Sequence, residues 1–388
     1  MNSRERMLAA LTGNQPDRLP VTTHHLMPWF LKTYLDGMGE ADFFQRFGLD
    51  PIRWAFDQRP DESRGEYWST PRVRHGDGYE HVGSRWIVSD DWRIEEHDVP
   101  GAANTVRYDM ITPGGTLSMV LEHGPQTDWV LERPVKEKRD IDLLRRYAPW
   151  GRCDMETVNE KAASVEGWGI LRGAIPGFQI YGQPGCWQDA VELFGIQELI
   201  METMDDPAWV RELLDLLRER KLAGIASMEG ARYDLLELGG GSASSTVISP
   251  KIFDEFVAPY DRVLIDALHR VGQRVVYHTC GGMMPLLERI ADMGPDAMET
   301  FTPPALGGDT DLARAKERIG DRVCMIGGFD QHTWFRGCTP AETRAAVRRC
   351  FEAAGVGGGY ILSPSDHFFD ADVPLLEAFA EEARECRY

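Results

Sequence analysis

The sequence predicts an α/β protein: a single (β/α)8 TIM barrel, 1–388, with a β-rich insertion in its N-terminal half. Three observations carry this. Short apolar runs recur along the chain, and most end in polar or glycine residues. Long amphipathic stretches separate the later runs, the alternation that gives a parallel sheet with helical crossovers. Residues 57–150 break that rhythm and read as antiparallel hairpins set into the barrel. A length of 388 residues suits one large barrel with an insertion and can bury a sizeable core.

In chain order, strands are expected at 19–26 (LPVTTHHL), 51–56 (PIRWAF), 169–173 (GILRG) and 233–239 (YDLLELG). Four more follow at 274–280 (RVVYHTC), 297–301 (AMETF), 322–326 (RVCMI) and 359–362 (GYIL). Residues 207–228 predict a helix, with Pro at its start and apolar residues at 3–4 spacing. In 249–271, Ser249 precedes Pro250 as a capped start would. Helices are also expected at 311–319, 340–354 and 374–386. The inserted region contains SRWIVSDDWRIEE and TVRYDMITPGGTLSMVLE, both alternating in the strand period. Its tryptophans (Trp68, Trp86, Trp92, Trp129) suit packing or a cleft for a flat ligand. No internal repeat or low-complexity segment stands out.

Composition narrows the partners. With 42 Lys+Arg against 62 Asp+Glu, the formal charge is −20, which argues against nucleic acid and anionic membranes. No run of about 18 apolar residues occurs, and the charged start lacks a signal-peptide core. A soluble, cytoplasmic protein is expected. Seven cysteines, at 153, 186, 280, 324, 338, 350 and 386, include no C-x-x-C pair. They predict reduced thiols or a metal ligand rather than a disulfide framework.

Barrel enzymes keep their chemistry at the carboxyl ends of the strands. Here those ends read His24-His25, Glu237, His278-Thr279-Cys280, Glu299, Asp330 and Ser365-Asp366-His367. In H-x-C, the strand period of two points His278 and Cys280 to the same side. An imidazole and a thiolate there could bind zinc; a core cysteine beside a hydrogen-bonded histidine is the alternative. Glu299, ending the next strand, is either a third metal ligand or an interior carboxylate paired with Arg or Lys. Asp366 and His367 could complete a metal shell or act as acid/base groups, or cap a loop. Glu237 precedes three glycines, which let a ligand approach the backbone. GGGSASS lacks G-x-G-x-x-G spacing, so no dinucleotide fingerprint is read. His24, His25 and Asp330 are candidates for contacting a substrate in the same mouth. Met283 and Met284 read as core.

These motifs resemble the uroporphyrinogen decarboxylase and corrinoid methyltransferase superfamily nearly end to end. The segments that carry the resemblance are RERMLAALTGNQPDRLPV, PGGTLSMV, LERPVKEKRDIDLL, ISPKIFDEFVAPYDRVLIDALHRVGQRVVYHTCGG, DTDLARAKERIGDRVCMIGGFDQ and GGGYILSPSDHFFDADVPLLEAF. The resemblance implies a (β/α)8 barrel with its site in the strand-end mouth. Its decarboxylase branch holds a tetrapyrrole's carboxylates with an arginine-rich N-terminal segment. The corresponding TTHHLMPWFLKTYLDGM has Lys32 and no arginine, which disfavours a substrate with eight carboxylates. Its methyltransferase branch uses zinc held by H-x-C plus a later Cys. His278 and Cys280 match the pair, while PSDHF stands where the later Cys is expected.

The resemblance therefore implies a zinc-assisted methyltransferase, with methyl passing between a small-molecule donor or acceptor and a corrinoid (methylcobalamin type). The expected metal set is His278, Cys280 and Glu299, with Asp366 or His367 as substitutes; Glu237, His367 and Asp366 are the catalytic candidates. The D-x-H-x-x-G pattern of corrinoid carriers begins at Asp330-Gln331-His332 but has Phe335 in the glycine position. A separate corrinoid carrier protein is thus the expected partner, and a homodimer the expected assembly. A metal-free decarboxylase and a non-catalytic tetrapyrrole- or corrinoid-binding protein are the alternatives.

Overall fold

A computed structural model describes residues 1–70, 85–175 and 184–388. Its centre is a curled, seven-stranded parallel sheet. The strands, in spatial and chain order, are β1 (Ile52–Trp54), β2 (Ile170–Ala174), β3 (Leu235–Gly239), β4 (Val275–His278), β5 (Ala297–Thr300), β6 (Cys324–Phe329) and β7 (Tyr360–Pro364). Each lies within or overlaps one of the expected runs. The remaining expected strand, 19–26, is a correction: it contributes only a parallel bridge, Val21 to Leu362. The reason is local. Pro20 has no N–H to give a ladder, and the Val21 N–H goes to the Asp50 carboxylate at 3.0 Å instead of a neighbouring strand.

The period of two builds two layers inside the sheet. Ile52, Ile170, Leu235, Val276, Ala297, Cys324 and Ile361 form a lower apolar cluster with Met7, Ala10 and Leu11 of the N-terminal helix Ser3–Leu11. Two residues further along the same strands stand Trp54, Arg172, Glu237, His278 and Glu299. Register sets them side by side, with Ala174 opposite Glu237, Gly239 opposite His278, and His278 opposite Glu299. The alternate residues, among them Leu236, Leu238, Tyr277, Met298 and Met325, join the larger core under the helices.

The helices follow the apolar spacing. Pro207–Ala226 starts on Pro with the Asp206 side chain capping Trp209 N–H, and Ser249 caps the segment that runs into Ala258–Arg270. Between β1 and β2 in sequence lies a four-stranded antiparallel sheet: Arg93–Asp98, Thr105–Thr112, Gly115–His123 and Asp128–Glu132. Trp86 and Trp92 are buried in the core and Trp129 is exposed; the tryptophan facing the polar layer is Trp54. All seven cysteines are free thiols. No helix among the described residues is long and apolar enough to cross a membrane.

Candidate active site

The polar layer is a connected network. Arg172, fully buried on β2, donates from Nη1 to Glu299 Oε2 at 2.8 Å and from Nη2 to Glu237 Oε2 at 2.7 Å. Its Nη2 also bonds Glu299 Oε1, making that pair bidentate. The guanidinium lies 4.4 Å from the centroid of the Trp54 ring. His278 Nδ1 donates to Glu299 Oε1 at 2.8 Å, and His24 Nδ1 lies 3.4 Å from Glu299 Oε2. The other ring nitrogen of His278, Nε2, is buried and has no hydrogen-bond partner among the described residues.

Charge in this layer is set by contact. Burial opposes the Glu299 charge, but Arg172, His24 and His278 hold its pKa well below the usual carboxylate range. Burial likewise opposes a charged His278, yet Glu237, Cys280 and Glu299 raise its pKa well above the ordinary histidine value. His25 goes the other way, its pKa lowered well below the ordinary histidine value by burial and by its neighbours His24 and Arg172. It stacks on Trp54 with ring centroids 4.1 Å apart, and Trp54 Nε1 donates to the His24 carbonyl at 3.1 Å.

Cys280 follows β4 in a tightly gripped loop and is half-buried. The Gly281 N–H donates to Thr302 Oγ1 at 3.0 Å and the Gly282 N–H to Thr246 Oγ1 at 2.6 Å. Asp309 Oδ1 accepts from Met283 and Met284 N–H at 2.7 and 3.1 Å. The triple glycine after Glu237 serves this loop. A Cβ on Gly241 would stand 2.5 Å from Cys280 Sγ, and one on Gly239 would stand 2.4 Å from the His278 carbonyl oxygen. The close approach the glycines permit is thus that of the β4 end itself. Just past Glu299, Thr300 and Phe301 both adopt positive φ, 82° and 48°, a strained pair for non-glycine residues.

Asp366 and His367 lie beyond β7. Asp366 Oδ1 takes the His367 backbone N–H at 2.8 Å and faces its Nδ1 at 2.9 Å. Burial works against the Asp366 charge, but His367, His24 and His278 keep its pKa below the usual range. Among the described residues, two groups have ligand atoms all within 4.8 Å of one another and could hold a metal ion: His24, Glu237, His278 and Glu299, and His278, Cys280 and Asp366. The structure therefore gathers His24, Glu237, His278, Cys280, Glu299 and Asp366, with His25 and His367 beside them. Asp330 lies apart from both groups: it caps the short helix Gln331–Trp334 by accepting the Thr333 N–H at 2.9 Å. Arg172 and Trp54 were not among the sequence candidates. An arginine in the middle of GILRG was the available signal, since an apolar barrel strand rarely buries a cation without partners.

Comparison with known proteins agrees with this architecture. The family model "Uroporphyrinogen decarboxylase (URO-D)" matches residues 103–385. A uroporphyrinogen decarboxylase of Psychromonas ingrahamii is 27% identical over 260 residues, covering 63% of this chain and 67% of that protein. One from Hydrogenovibrio crunogenus is 24% identical over 266 residues, covering 66% and 70%. A solved methyltransferase from Methanosarcina mazei superposes with a TM-score of 0.63 over 99% of both chains at 16% identity, a likeness of fold. With the family match spanning most of its length, this chain belongs to the uroporphyrinogen decarboxylase (URO-D) family.

Proposed function

We propose that this chain is a methyltransferase that moves a methyl group between a small substrate and a corrinoid on a partner protein, assisted by zinc at His278 and Cys280. The substrate is a thiol or a methylated oxygen, sulfur or nitrogen compound. The observation that carries the reading is the trio His278, Cys280 and Asp366, with a buried imidazole nitrogen that has no hydrogen-bond partner among the described residues. Nitrogen, sulfur and oxygen donors together suit zinc. Asp366 stands in for the second cysteine that the family resemblance leads one to expect. Zinc held there would supply Lewis acidity, lowering an acceptor thiol's pKa or drawing charge off a departing heteroatom.

The chain's own groups do the remaining work. Glu237, nearly buried with one oxygen on Arg172, is placed to exchange a proton with the substrate. His367, oriented by Asp366, is a second acid/base group. His24 and His25 stand beside these groups, His25 stacked on Trp54. In this reading residues 20–22 complete an eight-stranded barrel, and 57–150 is an insertion into it.

A metal-free decarboxylase is the second reading, because the sequence relatives carry that name. The mouth argues against a polycarboxylate substrate. The buried Arg172 is already neutralised by Glu237 and Glu299, and Asp366 keeps its negative charge. Metal analysis of freshly purified protein should give about one zinc per chain. Cys280→Ser should lose that zinc and at least about 100-fold of methyl transfer between methylcobalamin and small thiols or methyl donors. A zinc-free wild type that releases carbon dioxide from a porphyrinogen, insensitive to chelators, would replace this reading with the decarboxylase.

A further inference from the structure

Glu299 sits in the layer nearest His278, and the register of β4 and β5 pairs the two residues directly. We propose that Glu299 is a positioning residue rather than a metal ligand: Arg172 locks it, and it holds His278 so that Nε2 faces Cys280 and Asp366. The inference rests on the zinc reading above and specifies which carboxylate serves the metal.

The argument is an account of lone pairs. An ionised carboxylate offers about four acceptor sites. On Glu299 the two oxygens each receive an Arg172 N–H, Oε1 also receives His278 Nδ1–H, and Oε2 faces His24 Nδ1. No acceptor site remains for a metal. The Glu237 Oε2 is also held by Arg172. A cation seated in the His24, Glu237, His278 and Glu299 group would have to share two carboxylates with a fully buried guanidinium, which repels it at close range. Arg172 cannot swing aside to solvent, because it is enclosed and covered by the Trp54 ring.

The other group has open valences. His278 has spent Nδ1 on Glu299 and retains Nε2. Asp366 spends Oδ1 on His367, and Cys280 is half-buried in a loop held through its backbone. A carboxylate on the far nitrogen of a metal-binding histidine fixes its ring and tautomer. Here that carboxylate is itself fixed by a two-pronged ion pair, so orientation passes from Arg172 through Glu299 to His278.

The two roles for Glu299 predict opposite signs. If Glu299 were a ligand, Arg172→Met would free it from a competing cation and tighten zinc binding. As a positioning residue it loses its lock, and zinc affinity should fall by about 10–100-fold in chelator competition on the full chain. Glu299→Gln keeps an acceptor for His278 Nδ1–H and serves should Arg172→Met fail to fold. It should weaken cobalt(II) binding by about 10-fold while leaving the thiolate–cobalt absorption bands where they are in wild type. Arg172→Lys, which keeps the charge without the fork, should recover part of the affinity.

Tighter zinc in Arg172→Met, altered cobalt bands in Glu299→Gln, or wild-type affinity in both would overturn the inference and leave the zinc reading standing. Wild-type protein that binds no zinc would overturn the zinc reading, and this inference with it.

Discussion

Two buried charge networks meet back to back on strand β4. On its inner face His278 joins Glu299, Arg172 and Glu237. On its outer face, one residue earlier, Tyr277 donates its hydroxyl to Asp261 Oδ2 at 2.8 Å. Nearby, Lys221 Nζ lies 2.6 Å from Asp189 Oδ2. Both networks bury a cation with two acids, so buried charge alone does not mark a working site. The outer one is walled in by the helices Cys186–Phe194, Pro207–Ala226 and Ala258–Arg270, and all four of its members are buried. The inner one ends on an imidazole nitrogen without a hydrogen-bond partner among the described residues, beside the half-buried donors Cys280 and Asp366. A spare valence next to accessible donors separates a candidate centre from a structural ion cluster.

The contrast can be broken by mutation. The largest effect is expected from Lys221→Met, which removes the buried cation 2.6 Å from Asp189 Oδ2 in the helix layer. Urea unfolding should show a loss of about 3–5 kcal/mol, with zinc affinity per folded chain unchanged. A matching loss of zinc would mean that the two faces of β4 are one network.

Next is Asp261, whose pKa burial raises from 3.8 to about 6, against the opposing pull of Tyr277 and Lys221. A raised acid pKa in the folded state stabilises at low pH. That contribution is fully present below about pH 4 and is lost as pH climbs through about 6. Two units correspond to about 3 kcal/mol. Stability measured from pH 4 to 7 should therefore fall less steeply in Asp261→Asn than in wild type. Parallel profiles would show that Asp261 does not titrate in this window.

The smallest change is Gly241→Ala. Its added Cβ would meet Cys280 Sγ at 2.5 Å, so the sulfur must move. Zinc affinity should drop by about 10-fold while the unfolding midpoint shifts little, and equal loss of both would assign Gly241 to the fold alone.

Much of this was readable from the chain. The H-x-C pair, Glu299 and Glu237 stood out because strand ends are short, apolar and followed by polar residues, and a period of two assigns faces without further information. Arg172 is not legible in this way, because it lies inside GILRG and not in the polar residues that follow a strand. The second possibility raised for Glu299, an interior carboxylate paired with arginine, describes what the structure contains. The three glycines after Glu237 looked like room for a ligand, and their near neighbours turned out to be Cys280 and the His278 carbonyl. Asp330 shared the strand-end position but became a helix cap, because a capping side chain and a substrate-binding one look alike in sequence.

The sequence by itself determined which residues face inward. Alternation along each strand sorts apolar from polar, and the two layers follow from it. The tertiary structure decided which inward residues touch. The stagger between strands brings Arg172 of β2 onto Glu299 of β5, 127 positions later, across the interior of the sheet. That contact, together with His278 Nδ1 and His24 Nδ1, fills the acceptor sites of Glu299. No linear spacing encodes it, because it depends on how far the sheet curls and not on the order of residues along any strand.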